Sequence, residues 1–466
     1  MVDIIEQKSF DLMTEEKVLV LTNNLNNSIV NNINQLLNGV IKANQLEEIV
    51  TIYTLGKLPA DKIVVINHKT LLSRDKCKDL FKKIAEIKSD SCVLLDTFES
   101  ENQDQLYYDL TETILSKNYT FQLFKSKKDH KDRNFFFYGT SDSYSVIKKA
   151  YICAKAQNIA KDLTNTPYNY LNAEKLANEV LKLKQYPQIK VQLFGKSEIE
   201  EMNMGLFLGV NKGSLDEPKL IYITYQGKDN FDNPTALIGK GVMYDTGGYS
   251  LKTPVSMPGM KVDMAGAASV IAAIEAIAQL ELKVNVMGIV AATDNRIGQH
   301  AIVPDDILTS AKGLTVEIIS TDAEGRLTLA DAIWFAQQKN AKEIIDIATL
   351  TGAIVSALGD EFTGAFTNSK PFLKEFMDAS VIADECIWEM PISSGYHKEL
   401  KSDFADLKNK GGKNAGASIA AAFLEEFVEK DTSWIHLDIA ATSVSNNNAS
   451  GVMVKSFVEF FYQRSK

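Results

Sequence analysis

At 466 residues, with 45 % apolar and 24 % charged side chains, the chain has the material for two or three globular domains. Its formal charge of −10 repels phosphate backbones, so no nucleic-acid partner is expected. The cysteines, Cys77, Cys92, Cys153 and Cys386, form no C-x-x-C pair and indicate neither a zinc knuckle nor a disulfide framework.

The opening Met-Val-Asp-Ile-Ile-Glu-Gln lacks the basic and apolar regions of a secretion signal. No apolar run is read as approaching the ~20 residues that span a bilayer. A cytoplasmic protein with no membrane partner is expected. Short apolar runs at Val18–Leu21, Ile63–Ile66 and Cys92–Leu95 predict buried strands, with helices around Ile29–Leu37 and Leu80–Ile87 between them. This alternation predicts an N-terminal α/β domain over residues 1–144. The asparagine-rich Asn23–Asn34 stretch is read as compositional bias on a polar helix face.

Ser145–Leu163 predicts one amphipathic helix with Ile147, Ala150, Ala154, Ile159 and Ala160 on its apolar side, ended by Thr164-Asn165-Thr166-Pro167. Residues 145–165 are read as a linker helix, and 166–466 as a second domain. Only Gly39, Gly56 and Gly139 of the 26 glycines precede residue 150, so close backbone approach to a ligand is expected in this second domain. Its predicted strands are Val191–Phe194, Leu220–Thr224, Ala236–Ile238, Val284–Ala291, Ile344–Ala348 and Ile435–Ile439. The predicted helices are Asn172–Leu183, Ala265–Leu280, Leu329–Gln338 and Ser418–Val428. The fold class is α/β: two α/β domains, the second with a mixed central sheet flanked by helices. Ligands of such sheets sit on loops at the carboxyl ends of strands.

Three glycine- and alanine-rich stretches at predicted strand ends carry charge. The first is the loop Gly239–Gly248 with Lys240 and Asp245, running on to Lys252; the second holds Met260 and Asp263 before a small-residue helix; the third is Ser320-Thr321-Asp322-Ala323-Glu324-Gly325-Arg326-Leu327. Each alone has a plain reading. The Lys240 loop lacks P-loop spacing and fits a surface turn. Asp263 fits a helix cap. Asp322 and Glu324, two apart, point the same way in an extended segment and repel unless a cation sits between them. Together they bring four carboxylates, two lysines and an arginine, which favours a dinuclear metal site with oxygen ligands. The histidines, His68, His130, His300, His397 and His436, are scattered without H-E-x-x-H and are read as structural or exposed.

The third stretch differs by one residue from the signature Asn-Thr-Asp-Ala-Glu-Gly-Arg-Leu of the leucyl aminopeptidase (cytosol aminopeptidase) family. The blocks Asp346–Ala353, Ser402–Asn409 and His436–Ala440 resemble that family's later blocks, in its order. The resemblance runs from about Asn158 to the end. It implies a metal-dependent aminopeptidase that releases N-terminal residues from peptides, preferring apolar ones such as leucine. It implies two divalent ions, manganese or zinc, with magnesium or cobalt as alternatives. Lys240, Asp245, Asp263, Asp322 and Glu324 match the ligands. Asp245 and Glu324 would bridge, Lys240 and Asp263 belong to the tighter site, and Asp322 to the more exchangeable one. Lys252 and Arg326 match the catalytic residues that are not ligands. Met260, Thr349, Gly352 and Ala440 match the pocket for the N-terminal side chain. Ala323, Gly325, Arg326 and Leu350 match a bicarbonate site. A homohexamer with peptide substrates follows by the same resemblance. As a metal ligand, Lys240 must be neutral; burial and two adjacent dications push its pKa down. Ser320 departs from the signature's asparagine, on the leaving-group side; Tyr244, Thr246 and Ser443 are further replacements.

Overall fold

The computed structural model describes residues 2–7, 11–69, 74–128, 133–139 and 141–466. His130 lies outside them. The chain forms two compact units, Met1–Lys155 and Ala156–Lys466. The first contains β1 (Val2–Gln7), β2 (Val18–Thr22), α1 (Ser28–Leu36), β3 (Ile49–Tyr53), β4 (Lys62–Ile66), α2 (Arg74–Ala85), β5 (Ser91–Leu94), α3 (Gln103–Lys117) and β6 (Arg133–Tyr138). Its sheet runs β1-β6-β5-β2-β4-β3, parallel except for β3 against β4. Val and Ile runs in β2 and β4 are buried on both faces, as a covered parallel sheet requires.

The asparagine-rich stretch is more than a polar helix face. Asn27 caps α1 by accepting from the Ile29 and Val30 N–H groups. Buried Asn34 accepts from the Ile41 N–H and donates to the Ile41 carbonyl; Asn23 donates to the Lys42 carbonyl and accepts from the His68 N–H. These amides saturate backbone groups of the turns they face.

Helix α4 (Ser141–Asn165) starts earlier than the sequence predicts, and the two units divide within it. The second unit follows with α5 (Ala173–Leu181), β7 (Ile189–Phe194), α6 (Lys196–Glu201), α7 (Gly205–Asn211), β8 (Lys219–Gln226), β9 (Thr235–Asp245), α8 (Ala265–Gln279) and β10 (Asn285–Asn295). Next come β11 (Ile307–Thr309), β12 (Thr315–Glu317), α9 (Gly325–Gln338), β13 (Glu343–Ala348), α10 (Gly352–Leu358), β14 (Thr363–Thr367) and α11 (Lys370–Ala383). The chain ends with β15 (Ile387–Glu389), α12 (Ser394–Glu399), β16 (Leu407–Lys408), α13 (Gly416–Glu425), β17 (Ser433–Asp438) and α14 (Val454–Arg464).

The main sheet, β15-β14-β17-β13-β9-β10-β8-β7, is mixed: β17, β13, β9 and β10 run parallel at its centre, β14, β8 and β7 pair antiparallel outside them, and the edge strand β15 is parallel to β14. Helices α7, α9 and α13 share one apolar core with Ala236 and Ile238 of β9. Helix α8 packs on β9 from the other face, where Gly239 lets the Ala267 backbone approach. Met260–Gln279 is long and apolar enough to cross a membrane, contrary to the sequence reading, but 83 % of its most apolar window is buried in the protein, as in a core helix.

Three local expectations are corrected. The Gly239–Asp245 part of the first loop is strand: β9 is paired on both sides, reaching Asp245 opposite Asn295. Asp322 and Glu324 occupy a turn, not an extended segment, and α9 already starts at Gly325, so Arg326 lies in its first turn. The predicted helix Asn172–Leu183 tightens into a 3-10 turn after Leu181.

Candidate metal centre

The carboxyl ends of β9, β10 and β13 set the site. Lys240 and Asp245 both project from β9, one near its middle and one at its end. Asp263 stands in a 3-10 turn, Met260–Met264, that leads into α8. It does not act as a cap: the N-cap position of α8 is Met264, and no side chain makes a cap bond there. Instead Asp263 Oδ1 lies 2.7 Å from Lys240 Nζ and accepts from Thr349 Oγ1 at 2.8 Å. Lys240 Nζ also lies 2.9 Å from Glu324 and donates to the Thr349 carbonyl at 3.1 Å. Lys252 bridges the other pair, 2.7 Å from Asp245 and 2.6 Å from Asp322.

Two glycines make this possible. Gly247 has φ +85°, and a Cβ there would sit 2.8 Å from Asp322 Oδ1; a Cβ on Gly325 would sit 2.5 Å from Lys240 Cε.

Two lysines cannot neutralise four carboxylates. Burial raises the Asp263 carboxyl well above its ordinary range despite Lys240, with Glu324 and Asp245 adding to the rise. Burial and Glu324 push Asp245 up to about 6. Burial also raises Asp322. Glu324 is held below its ordinary value, since Lys240 outweighs its burial. Burial alone would depress the Lys240 ammonium, yet Asp263, Glu324 and Asp245 together raise it. The depression expected from the sequence therefore needs further positive charge beside these carboxylates.

The donor set meets that need. Asp245, Asp322 and Glu324 each place an oxygen within 4.8 Å of the others. Asp263 joins through Lys240 rather than through that trio. Asp263 Oδ2 and Glu324 Oε2 are buried without a hydrogen-bond partner. Orphaned buried carboxylate oxygens are costly, and a hard or borderline divalent cation satisfies them.

Sequence reasoning missed the groups that hold this cluster in place. Buried Asn295 donates to Asp245 Oδ1 at 2.8 Å and to the Thr321 carbonyl at 3.0 Å. Thr321 Oγ1 donates to the Gly247 carbonyl at 2.6 Å and accepts from the Ser250 N–H at 2.7 Å, joining the first and third stretches. Fully buried Asn409 accepts from the Ile319 N–H and donates to the Ser320 carbonyl. Asp438 accepts from Thr351 Oγ1 and the Leu350 N–H. Asn409 and Asp438 lie in blocks visible in the sequence, which suggested no role for them.

A cavity of about 1160 Å³ opens over the cluster, lined by Met260, Thr349, Gly352 and Ala440 as well as by Lys240, the four carboxylates, Lys252 and Arg326. A Cβ on Gly352 would meet nothing within 4 Å. Arg326 is buried; it donates to the Asn409 carbonyl at 2.8 Å, and its Nε has no partner. Burial lowers its pKa to about 10. Of the backbone groups predicted around it, the Ala323 N–H donates to Ser320 and the Leu350 N–H to Asp438. The Gly325 N–H heads α9, where no intrahelical acceptor exists.

Among the described residues, no histidine enters the site. Fully buried His436 pairs with Asp346, His397 with Glu425 and Glu426, His68 with Asn23, and His300 is exposed.

A lysine and four carboxylates gather below an open cavity of an α/β sheet, an acidic cluster that could hold metal. The profile of the cytosol aminopeptidase family, catalytic domain, matches residues 158–458. A solved structure of a lysine-to-glutamate mutant of tomato leucine aminopeptidase is 28 % identical, with a TM-score of 0.86, covering 99 % of this chain and 97 % of that one. The chain belongs to the cytosol aminopeptidase family and is a metal-dependent aminopeptidase, a hydrolase of peptides.

Proposed function

We propose that the enzyme releases apolar N-terminal residues, leucine among them, using two divalent ions, manganese or zinc, held by Lys240, Asp245, Asp263, Asp322 and Glu324. When bound, such ions supply Lewis acidity and a water deprotonated near neutral pH. The observation that carries this reading is the pair of buried, unpartnered oxygens, Asp263 Oδ2 and Glu324 Oε2. The Asp322 side chain is 38 % exposed against 7 % for Asp263, which fits an exchangeable and a tight site respectively.

Lys252 keeps its charge. Burial works against the ammonium, but Asp245 and Asp322 outweigh it. Its side chain lines the cavity, so it can hold the oxyanion that develops on the scissile carbonyl. Arg326 is a buried cation short of acceptors, which suits an anion such as bicarbonate acting in proton transfer, with the Gly325 N–H at the helix start. Met260, Ala440 and the side-chain-free Gly352 give the N-terminal residue an apolar berth. A cytoplasmic homohexamer is part of the same proposal.

Leu-p-nitroanilide and N-acetyl-Leu-p-nitroanilide, each assayed before and after chelation and Mn(II) or Zn(II) reloading, test this. Turnover of the free amine alone, lost and regained with metal, is expected. Comparable turnover of both substrates would overturn the exopeptidase reading.

A further inference from the structure

Apart from Asp245, Asp263, Asp322 and Glu324, the ionisable side chains on the cavity wall are all cationic. The chain as a whole carries a charge of −10, so this is a local inversion. Lys240, Lys252 and Arg326 belong to the centre already described, and Lys261 donates to the Asn165 carbonyl. That leaves Lys410 and Lys413, whose side chains, among the described residues, have no hydrogen bond or ion pair.

Most exposed lysines are merely solvated. These two differ because the backbone that carries them is fixed. On one side Asn409, fully buried, bonds to Ile319 and Ser320 and takes Arg326 Nη1 on its own carbonyl. On the other, the Gly412 N–H donates to Glu399 at 2.9 Å, and a Cβ on Gly411 would lie 3.0 Å from Ile419 and 3.2 Å from Glu399. The anchors tie the loop to the Ser320 and Arg326 side of the cavity. Met260, Ala440 and Ser443 line the remainder.

We propose that Lys410 and Lys413 form a carboxylate-binding subsite on the leaving-group side. It selects peptides with an anionic group shortly beyond the scissile bond: the free C-terminus of a dipeptide or tripeptide, or an Asp or Glu side chain at the second residue. This rests on the aminopeptidase reading and names its substrate class.

Two substrate pairs separate the sources of the carboxylate. Leu-Gly against Leu-Gly-amide removes the terminal carboxylate; Leu-Glu-amide against Leu-Gln-amide removes the side-chain one. kcat/KM is measured for the full-length metal-loaded enzyme at low salt. Two weakly screened charge pairs give a preference of about tenfold for the anionic member of at least one pair, carried in KM and shrinking at ~0.5 M salt. The Lys410→Glu/Lys413→Glu variant reverses that ratio, and Lys410→Gln/Lys413→Gln brings it near unity. The readout is a ratio within each pair, so a general loss of activity or stability cancels. A response in the first pair assigns the C-terminus, and in the second the side chain. Ratios near one in both pairs, or a ratio untouched by charge reversal, overturn the subsite. Failure of the wild-type enzyme to cleave Leu-p-nitroanilide would remove the aminopeptidase reading and the subsite with it.

Discussion

Each α/β unit buries an arginine that, among the described residues, has no carboxylate partner, and the two are used differently. Arg133, at the start of β6, donates to the carbonyls of Ala85 and Ile87 and to Asn118 Oδ1. It ties the ends of α2 and α3 to the sheet. Arg326, in the first turn of α9, has a single protein acceptor, the Asn409 carbonyl. Burial lowers the pKa of both, as for any cation taken out of water. Arg133 directs its guanidinium NH2 groups to Ala85, Ile87 and Asn118 of its own unit, while its Nε, like that of Arg326, has no partner. Arg326 shares a cavity with Lys252 and the four carboxylates. Both units leave some buried polar atoms unpartnered, but in the second Asp263, Glu324 and Arg326 carry theirs on residues that line an open cavity.

Substitutions can break this contrast. The largest effect belongs to Asp263→Ala and Glu324→Ala, which should lose bound metal and peptidase activity together. Metal analysis beside a Leu-p-nitroanilide assay checks it, and either variant active without metal would remove that ligand from the set. Next, Lys252→Ala should lower kcat by about 10²–10³ while metal is retained; a near-normal kcat would return Lys252 to the surface.

The arginines themselves give a double dissociation. Arg326→Met should cut kcat by about 10² with little change in Tm, since it removes a poorly paired buried charge. Arg133→Met takes the arginine donor from the Ile87 carbonyl and leaves Ala85 with Asn118 alone, so it should cost about 1–3 kcal/mol of stability and leave kcat intact. A shared phenotype would erase the distinction. The smallest effect on activity concerns Asp331, which accepts from the Leu206, Phe207 and Ala311 N–H groups. Burial outweighs these bonds and pushes its carboxyl from 3.8 up to about 7. Between those values the folded chain holds a proton that the unfolded chain has lost. Stability therefore falls as pH rises through this window, by up to about 1.4 kcal/mol per unit. Asp331→Asn should flatten that slope in denaturant titrations; an unchanged slope would assign it elsewhere.

What the sequence made legible was local. Asp322, Glu324 and Arg326 sit in one short signature between β12 and α9, so the residue types could be read together although their local conformation could not. Lys240 and Asp245 were read as loop because glycines interrupt the apolar run after Ile238. Pairing to β10 and β13 on both sides overrides that local signal. Asn295 and Asn409 act across 50 and 89 residues of sequence, through bonds that exist only once β9, β10 and β12 are assembled. Nothing in their neighbours announces this. Asn295 could have been suspected as the polar end of a buried strand, beside the strand that carries Asp245. The buried asparagines of the first unit were hidden by the compositional bias around them.

The most direct test is a titration of metal-free enzyme with Mn(II), following bound metal and Leu-p-nitroanilide turnover in the same samples, for the wild type and Asp263→Ala. Turnover should be absent at the start and rise with occupancy to a plateau at about two ions per chain, while Asp263→Ala binds fewer ions and stays inactive. Full turnover in demonstrably metal-free wild-type enzyme, or wild-type metal content and activity in Asp263→Ala, would contradict a catalytic centre built on these buried carboxylates.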